Sequence, residues 1–513
     1  MKTLCLVVPA ICLLGAMNIS AKEWFVGPAG TPEGDGTKLK PLELSAALNS
    51  ATSPVKPGDV IYVLPGQYDG KMEGQKRVAF TVNLSGAPGQ PIRVEPAPGT
   101  ALWDAPLLNG GLEFTSSHVH VIGLQIGDLK WDRTNKTHEA VVAFNTTGGR
   151  DSKLIDCNLF GGRMGSGVWV GAINFEMRGT IIHDFGTVPE GQRGSGHAVY
   201  TQNGEGTKVY SKNMFYRGCG WNFDIYTQQN KIEGFDVIEN ISFLAGHYKE
   251  GQTSFSYGLQ GWQTADRIRF EKNIGYQPRS TEKWRANARL IYHRDPEIIH
   301  GTGSFTDNTI MGAARAFSVS RWKSLTVTGN TFWATEFLFD LATAPGGSGA
   351  NVPGMDKPDP KNYTINQNTY FSNGNPKPFR FGAGIEEFQP GETLTFKEWQ
   401  ALGFDKDSRF IEEPKGRPTG TKVFVIPTGT TPGRAHVGIF NWDDKDTIEV
   451  DLGTAVKSGQ KIRIYNVLDI TQTFALAKPV LSVTYLGKPL SFPLRKDKDC
   501  PNFDAFLILP EGQ

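Results

Sequence analysis

One strand-like pattern recurs along the middle of this chain, and each copy ends in a polar turn residue, usually asparagine. The run His197–Thr201 is followed by Lys208–Ser211 and then by Asn213. The same order returns upstream and downstream, with end markers at positions 158, 180, 213, 240, 273, 308, 330 and 368. Two short strands per unit, joined by connections of unequal length, are typical of a coil whose turns stack on one another.

No single unit of this kind can bury its apolar side, so the stack must supply one continuous core. Asparagine tolerates left-handed backbone dihedrals and can pair its amide with the asparagine of the next turn, which accounts for its recurrence. A β-sandwich with asparagine-rich turns would not repeat one motif eight times. The pattern therefore predicts an all-β fold, a right-handed parallel β-helix with an N-terminal cap, over residues 22–415.

The charges of the chain are nearly balanced, with 53 Lys and Arg against 52 Asp and Glu and a net charge of +1. This balance gives no basic footprint for nucleic acid, so no nucleic-acid partner is predicted. It also supplies no global field to attract a polyanion, so recognition of a charged ligand must be local.

The first 21 residues are typical of a secretory signal peptide. Lys2 gives a positive start, residues 4–17 are apolar, and residues 19–21 fit a cleavage site. The apolar run is too short to span a bilayer, and no comparable run follows. We expect a secreted or periplasmic protein without a membrane span, and an N-terminal membrane anchor is the alternative.

Three cysteines remain after removal of this peptide: Cys157, Cys219 and Cys500. An odd number at wide spacing, without a paired motif, fits neither a disulfide framework nor a zinc site built on cysteine. Cys157 lies in a predicted strand and is expected to be a small core residue.

Residues 24–68 predict a cap over the first turn of the coil, with strands at 24–26 and 60–64 and a short helix over 42–51. A cap is required there because an open end would expose core side chains and unpaired strand edges. At the other end, Thr395 and Glu398 form a capping box that predicts a short helix ended by Gly403.

Two segments near the start, residues 57–68 (PGDVIYVLPGQY) and 86–92 (GAPGQPI), resemble the first turns of bacterial pectate-lyase-like β-helix proteins. Residues 119–126 (VHVIGLQI) are similar to an apolar turn of those proteins, and the resemblance in pattern covers about residues 24–375. It implies a secreted β-helix protein that acts on or binds glycans. That superfamily holds lyases, hydrolases, transferases, epimerases and adhesins, so the resemblance selects no reaction.

Residues 420–513 predict a second domain, an accessory β-sandwich, because short apolar runs recur there about every ten residues. The segment 436–442 (HVGIFNW) looks like the sandwich appended to many secreted glycan-active enzymes. A sugar-binding module and a packing module that covers the coil both fit this pattern.

Side chains alternate across a strand, so an overlay of the repeats predicts which residues face outward. The overlay places Val168, Val199, Ile225, Leu259, Ile291 and Phe317 together, facing into the coil. The residues that follow them face outward: Trp169, Tyr200, Tyr226, Gln260 and Tyr292. Two positions further along each strand, the outward residues are Gln202, Gln228, Trp262 and Arg294. His197 and Asp224 precede the inward positions of their strands, and Arg289 and His293 lie near the same patch. These residues form a predicted external patch, the outer ladder, about 15 Å long.

Large aromatic side chains exposed on a sheet need a reason. Sugar rings present apolar C–H faces that stack on tyrosine and tryptophan, while amide and guanidinium groups bond the hydroxyls. The ladder therefore predicts a polysaccharide or oligosaccharide partner. Burial of these rings beneath the long polar loops is the structural alternative.

The number of carboxylates bears on the reaction. Hydrolysis of a glycosidic bond usually needs two carboxyl groups about 5 to 9.5 Å apart. On the ladder only Asp224 and Asp295 qualify, and they are expected to lie roughly 16 Å apart along the strand direction. A hydrolase would have to use loop glutamates, of which Glu190, Glu205, Glu250 and Glu282 are candidates.

β-Elimination from a uronate-containing chain needs a cation for the carboxylate, a base for the C5 proton and an acid for the leaving oxygen. The predicted roles are Arg294 or Arg289 on the carboxylate, His197 as base, Tyr200 or Tyr226 as acid, and Asp224 orienting His197 or binding a hydroxyl. Trp169, Gln202, Gln228, Gln260, Trp262, Tyr292 and His293 are the predicted binding residues. A polysaccharide lyase is thus favoured over a glycoside hydrolase or a non-catalytic adhesive protein.

Proteins of the resembling superfamily often hold Ca²⁺ through several carboxylates in the groove. Ca²⁺ requires six to eight oxygen ligands, and the ladder contains no carboxylate cluster. No metal-binding residue is therefore predicted, although a Ca²⁺ requirement stays open, as does the oligomeric state.

Overall fold

Three long β-sheets of twelve strands each wind around a common core, and they form the predicted right-handed parallel β-helix. Every turn of the coil contributes one strand to each sheet, so hydrogen-bonded neighbours belong to successive turns. The computed structural model describes residues 21–73, 76–77, 79–134, 140–144, 148–188, 194–229, 231–248, 255–278, 286–290, 298–342, 360–382 and 391–511.

The first sheet lies on the N-terminal side of each asparagine turn, and all its strands are parallel. Its strands are Glu23–Thr31, Val60–Val63, Ile92–Pro96, Val119–Ile122, Lys153–Ile155, Glu176–Arg178, Lys208–Ser211, Ile232–Ile238, Ala265–Glu271, His300–Thr306, Trp322–Thr328 and Tyr363–Asn366. The second sheet follows each turn with shorter strands. They are Gln67–Asp69, Leu107–Asn109, Gln125–Gly127, Asn158–Phe160, Ile181–His183, Met214–Tyr216, Ile241–Phe243, Ile274–Gln277, Thr309–Gly312, Thr331–Trp333, Thr369–Phe371 and Arg409–Ile411.

The third sheet carries the outer ladder and is called the site sheet below. Its strands are Phe80–Val82, Leu112–Phe114, Ala140–Phe144, Met164–Val168, His197–Thr201, Trp221–Thr227, Tyr257–Gly261, Ala286–Leu290, Arg315–Ser320, Phe337–Ala342, Phe379–Phe381 and the antiparallel Glu392–Leu394. Three strands per turn replace the two that the sequence pattern predicts. The strands of the second sheet are too short, mostly three residues, to separate from the turn by periodicity.

The asparagine markers form a continuous buried amide ladder from Asn213 through Asn240, Asn273, Asn308 and Asn330 to Asn368. The Nδ2 of Asn240 donates to the Oδ1 of Asn273 at 2.9 Å, and the Nδ2 of Asn273 donates to the Oδ1 of Asn308 at 3.0 Å. Each amide also caps a backbone carbonyl inside the coil, as the Nδ2 of Asn273 does with Val237 at 2.8 Å. The predicted pairing of amides between turns is confirmed.

Two details of the asparagine prediction are wrong. The left-handed residue is the one before each asparagine, as at Lys212 and Lys272, because the asparagine itself must direct its amide along the stack. Asn158 is not in the ladder column, since it pairs with Ile181 of the next turn while Cys157 donates its N–H to Thr180. The corner between the first and second sheets is nevertheless two residues long on every turn from Ile155 to Thr369.

The inward overlay of the site strands also needs correction. Val199 pairs with Phe223 rather than Ile225, and Phe317 pairs with Ala288. These shifts are of two residues, which preserve the buried face and so leave no trace in a pattern of period two. Leu290, not Ile291, is the partner of Leu259, and Ile291 lies outside the described residues.

The cap and the C-terminal lid close the coil. The cap helix is Leu44–Ala47, shorter than predicted, and the lid helix is Phe396–Ala401 with the predicted capping box between Thr395 and Glu398. The remaining short elements are the 3₁₀ helices Leu102–Asp104, Pro360–Asn362, Val467–Asp469 and Phe474–Leu476 and the strand pair Met72–Glu73 with Lys76–Arg77. Cys157, Cys219 and Cys500 are buried free thiols. No helix in the described part is long and apolar enough to span a membrane.

The C-terminal sandwich packs against the outer face of the second sheet. Its five-stranded sheet contains Thr421–Pro427, Ala435–Asn441, Phe503–Pro510, Lys461–Asn466 and Leu481–Thr484, and its two-stranded sheet contains Thr447–Val450 and Leu490–Pro493. Phe503 contacts Phe243 and Tyr276 of the coil with ring centroids 5.2 and 5.5 Å apart. Arg434 lies 3.4 Å from Asp156 across this buried interface. The sandwich therefore covers one side of the coil and leaves the site sheet on another.

Candidate active site

Neighbouring strands of the site sheet bring four outward positions into one column. Tyr200 pairs with Asp224, Asp224 with Gly258, and Gly258 with Arg289. Gly258 has no side chain there, and a Cβ at this position would lie 3.4 Å from the Oδ1 of Asp224. Gly258 therefore places no side chain between Asp224 and Arg289, whose charge acts on the buried Asp224 carboxyl group.

A cavity of about 350 Å³ opens above this column. Side chains of three successive strands and of the turns that follow them line it: His197, Tyr200, Trp221, Asp224, Tyr226, Gln228, Gln260 and Trp262. Seven of these eight belong to the outer ladder. Trp221 was not predicted, because the overlay was shifted by two residues along this strand and did not place Trp221 beside His197.

A second cavity, of about 300 Å³, adjoins the first toward the N-terminal side. It is lined by Arg163, Met164, Trp169, Ser195, Gly196, His197 and Tyr200. His197 and Tyr200 are common to both cavities, so they lie at the junction between them. A chain molecule that passes from one cavity to the other must therefore contact both side chains.

Aromatic rings line this junction continuously. Trp169 and Tyr200 have ring centroids 5.1 Å apart, and Tyr200 and Tyr226 have centroids 6.0 Å apart. The His197 ring lies 5.3 Å from that of Tyr200 and 5.0 Å from that of Trp221. Trp262 is 45% exposed at the far rim, whereas both tyrosines are half-buried. The rings thus form the wall of an open cleft rather than a sealed secondary core.

His197 and Asp224 form a close pair, with 3.4 Å between the Nδ1 of His197 and the Oδ2 of Asp224. The Oδ1 of Asp224 accepts a hydrogen bond of 3.0 Å from the Nε2 of Gln260. Burial raises the pKa of Asp224 to about 8, although the Gln260 bond and the Arg289 charge both act to lower it. Burial, with the Arg163 charge, lowers the pKa of His197 to about 3. Both shifts keep the pair uncharged near pH 7.

The proton of this pair determines which ring nitrogen of His197 can act. A protonated Asp224 donates to Nδ1, and the neutral imidazole then carries its hydrogen on Nε2. An ionised Asp224 instead accepts from Nδ1–H, which leaves the lone pair on Nε2. His197 therefore becomes a base at Nε2 only when Asp224 has lost its proton.

The two tyrosines differ in their surroundings. Burial raises the pKa of Tyr200 to about 12, and nearby Asp224 and Tyr226 act in the same direction. Tyr200 therefore keeps its phenolic proton at neutral and moderately alkaline pH. The hydroxyl of Tyr226 accepts a hydrogen bond of 3.0 Å from the Nε2 of Gln228, whose side chain is exposed.

Two arginines lie near the pair, one exposed and one buried. Arg163 is exposed in the second cavity, where its charge acts on His197. Arg289 is only 3% exposed, and its guanidinium group lies 5.3 Å from the ring centroid of Phe255. Arg163 was not predicted, because it lies in the turn before its strand, outside the overlaid positions.

Lys208 is a further residue that the sequence pattern did not single out. Its side chain is fully buried inside the coil, and its Nζ donates to the carbonyls of Val168, Trp169 and Gln202, at 3.3 Å for Val168 and 2.6 Å for Trp169. Burial lowers the pKa of Lys208 well below its usual value. Lys208 thus fixes the backbone beneath Trp169 and Gln202 at the edge of the cleft.

Several predicted site residues lie outside the described residues: Tyr292, His293, Arg294 and Asp295. The loop glutamates Glu190, Glu250 and Glu282 also lie outside them. Glu205 is described, and its carboxylate lies 3.4 Å from Arg150 at the surface. In the described part of the chain, no group of three or more His, Cys, Asp or Glu side chains is placed to hold a metal ion.

Comparisons with known proteins find similar solved structures at low sequence identity. No protein-family model matches the sequence, and no curated protein matches it. Among solved structures, the pectate lyase Pel9A is similar at 13% identity and a TM-score of 0.43, covering 67% of this chain and 83% of its own. A rhamnogalacturonan lyase is similar at 15% identity and a TM-score of 0.40, covering 78% and 89%.

A third structure, XylC in complex with xylose, is similar at 9% identity and a TM-score of 0.44, covering 95% of this chain and 100% of its own. These identities are too low to transfer any residue role. A function for the cleft must therefore be argued from its own side chains.

Proposed function

We propose that this protein is a polysaccharide lyase that binds a uronate-containing chain along the site sheet and cleaves it by β-elimination. The observation that carries the proposal is the junction of the two cavities, where a histidine and a protonated tyrosine lie side by side. Elimination needs a base and an acid at one sugar unit, and these two side chains can supply both.

The cleft wall suits a glycan. Rings of Trp169, Tyr200, Tyr226 and Trp262 offer apolar faces for sugar C–H groups, and Gln228 offers an exposed amide for hydroxyls. The exposed Arg163 adds a positive charge beside His197.

In the proposed reaction, the Nε2 of His197 removes the C5 proton of a uronate unit. The electron pair of that C–H bond forms the C4–C5 double bond, and the C4–O4 bond breaks. Tyr200 gives its phenolic proton to the departing oxygen. Asp224 holds the Nδ1–H of His197 and stabilises the imidazolium that forms.

The substrate carboxylate needs a cation, because charge accumulates on it as the C5 proton leaves. We assign this role to Arg163, which reaches the open cavity. Arg289 is better placed to hold the charge of Asp224 than to meet a ligand, since it is buried beside that carboxyl group. Arg294 remains a prediction for the same role.

The reaction is tested by incubation of the protein with uronate-containing glycans, including polygalacturonate, alginate and glycosaminoglycans. Elimination creates an unsaturated uronate that absorbs ultraviolet light, whereas hydrolysis creates only a reducing end. We expect the absorbance to appear with at least one glycan and to disappear in His197→Ala. The matched control is His118→Ala, which changes a histidine on a distant strand connection.

New reducing ends without the absorbance would rule out the lyase and favour a hydrolase that uses loop glutamates. Retention of a glycan without any cleavage would favour an adhesive protein. Export through residues 1–21 is part of the proposal, and detection of Met1 in the mature protein by mass spectrometry would contradict it.

A further inference from the structure

We infer that the glycan-binding cleft extends from Tyr200 to a separate distal subsite at the first turn of the coil, which binds sugar hydroxyls. This inference rests on the proposed function. It starts from a third cavity, of about 470 Å³, between the cap helix and the start of the site sheet.

The distal cavity has a polar lining. Side chains of Glu43, Ser45, Asn49, Gln67, Thr81 and Asn83 reach it, and they include both hydrogen-bond donors and acceptors. The two aromatic residues of its wall, Tyr68 and Phe80, are buried at 5% and 8% exposure. A ligand there would be held by hydrogen bonds to its hydroxyls rather than by stacking.

The charges of the distal cavity differ from those of the junction. Among the described residues that line it, Glu43 and Asp69 face a single cation, Lys71. This excess of negative charge disfavours a uronate carboxylate, which would be repelled. The distal subsite therefore suits a neutral part of the chain, whereas Arg163 suits the uronate at the junction.

The distal cavity and the junction lie on one column of the site sheet. Thr81 pairs with Glu113, Glu113 with Ala143, Ala143 with Gly167, and Gly167 with Tyr200. These four steps span about 19 Å at the usual separation of strands. A glycan that follows the column from Tyr200 thus reaches Thr81 without leaving the sheet.

The side chains nearest Tyr200 on this column are small. Ala143 carries only a methyl group and Gly167 has no side chain, so the floor of the column is low next to Tyr200. Glu113 is half-exposed at the next step. The second cavity, with Arg163 and Trp169, already extends from Tyr200 in this direction.

The test measures affinity as a function of chain length. Short and long oligouronides in which uronates alternate with neutral sugars, prepared from a glycosaminoglycan such as hyaluronate, are titrated against the full chain by calorimetry, so turnover is not needed. In Thr81→Trp the indole fills the distal cavity. We expect long oligouronides to lose about tenfold in affinity, while short ones that reach only the junction are unchanged.

Two further variants keep the result interpretable. Ala143→Trp raises the floor of the column between the junction and the distal cavity. It should therefore also lower the affinity for long oligouronides and leave that for short ones unchanged. Thr364→Trp places the same indole at an exposed position of the first sheet and should have no effect. Thermal midpoints equal to that of the wild type exclude a folding defect.

If long oligouronides bind Thr81→Trp and Ala143→Trp as tightly as they bind the wild type, the distal subsite does not exist. That outcome leaves elimination at the junction intact. If no oligouronide of any length binds the wild type, both the distal subsite and the proposed substrate are contradicted. In that case even the short chains fail to bind at the junction, which shows that the proposed substrate is wrong.

Discussion

The Nδ1 of His197 lies 3.4 Å from the Oδ2 of Asp224 at the floor of the cleft, and neither atom has a hydrogen-bond partner among the described residues. The two groups share one proton near pH 7, because burial disfavours a net charge. In that state the Nε2 of His197 carries a hydrogen. The proposed base, the Nε2 of His197, therefore becomes available when Asp224 ionises.

The first prediction concerns the pH dependence of elimination. We expect kcat/KM to rise with pH through about 8, the pKa of Asp224 in the folded protein. In Asp224→Asn the amide oxygen accepts the Nδ1–H of His197 at every pH. The variant should therefore lose this dependence between pH 6 and 9, with a lower maximum rate, as measured by ultraviolet absorbance. An unchanged pH profile would show that Asp224 does not control His197.

The second prediction is the effect of the same group on stability. Asp224 has a folded pKa of about 8, above its ordinary value of 3.8, so the folded state holds the proton more tightly. Its contribution to stability is complete below about pH 4 and is lost as the pH rises through 8. The free energy of unfolding of Asp224→Asn should therefore rise relative to that of the wild type across this window, by up to about 6 kcal/mol, and its thermal midpoint should rise with it.

The control for this titration is Asp266→Asn, at a half-exposed aspartate of the first sheet whose pKa is lowered by hydrogen bonds from Thr302. Its difference from the wild type should change in the opposite sense, because a lowered pKa stabilises the fold at higher pH. Equal pH dependence in the two variants would contradict the assigned shift of Asp224.

The third prediction separates the two tyrosines. Tyr200 lies at the junction and keeps its proton to about pH 12, so Tyr200→Phe should reduce kcat by about 10²- to 10⁴-fold with little change in KM. Tyr226→Phe removes only a hydroxyl that bonds Gln228, and a smaller effect, mainly on KM, is expected. Steady-state kinetics on one glycan distinguish the two, and a reversed order would move the acid to Tyr226.

The fourth prediction concerns Lys208, which acts through other residues. Lys208→Met leaves the carbonyls of Trp169 and Gln202 without their buried donor, so the cleft edge should loosen and KM should rise several-fold. The turnover number should change less, because the junction is not touched. Lys212→Met, at a half-exposed lysine paired with Glu239 at 3.7 Å, is the matched control. A fall in kcat alone would contradict a positioning role.

The fifth prediction tests the amide ladder. Asn273→Ala removes a buried donor to Val237 and Asn308 and a buried acceptor for Asn240, so several polar groups lose their partners together. We expect a loss of about 3 kcal/mol or more in the free energy of unfolding. Thr264→Ala, at an exposed position in the same turn, should change the stability by less than about 0.5 kcal/mol. Equal losses would show that the ladder contributes little.

The fold was predictable because stacked turns repeat one local pattern, and the amide ladder leaves that pattern in the sequence as Asn213, Asn240 and Asn273. The register was less predictable. Tyr200 and Asp224 share one column, although the overlay separated them by one residue pair. Side-chain alternation fixes the face of a residue but not its neighbour on the next strand.

The residues of the site were also predictable only where the repeated pattern includes them. Aromatic and amide residues of the cleft were predicted because they face outward at repeated positions, as Tyr226 and Gln260 do. Arg163 lies in a connection, and the fully buried Lys208 faces the interior, where a lysine is not expected. The raised pKa of Asp224 depends on burial by distant residues, which no local pattern encodes.

The two-residue corner between the first and second sheets is the part of each turn whose length cannot vary. Successive asparagines must remain in contact, so an insertion at that corner would interrupt the amide pairing of both neighbouring turns. The differences in repeat length all arise at other places, including the connections that border the cleft. The connections around the cleft can therefore change in length and sequence while the scaffold beneath them stays the same.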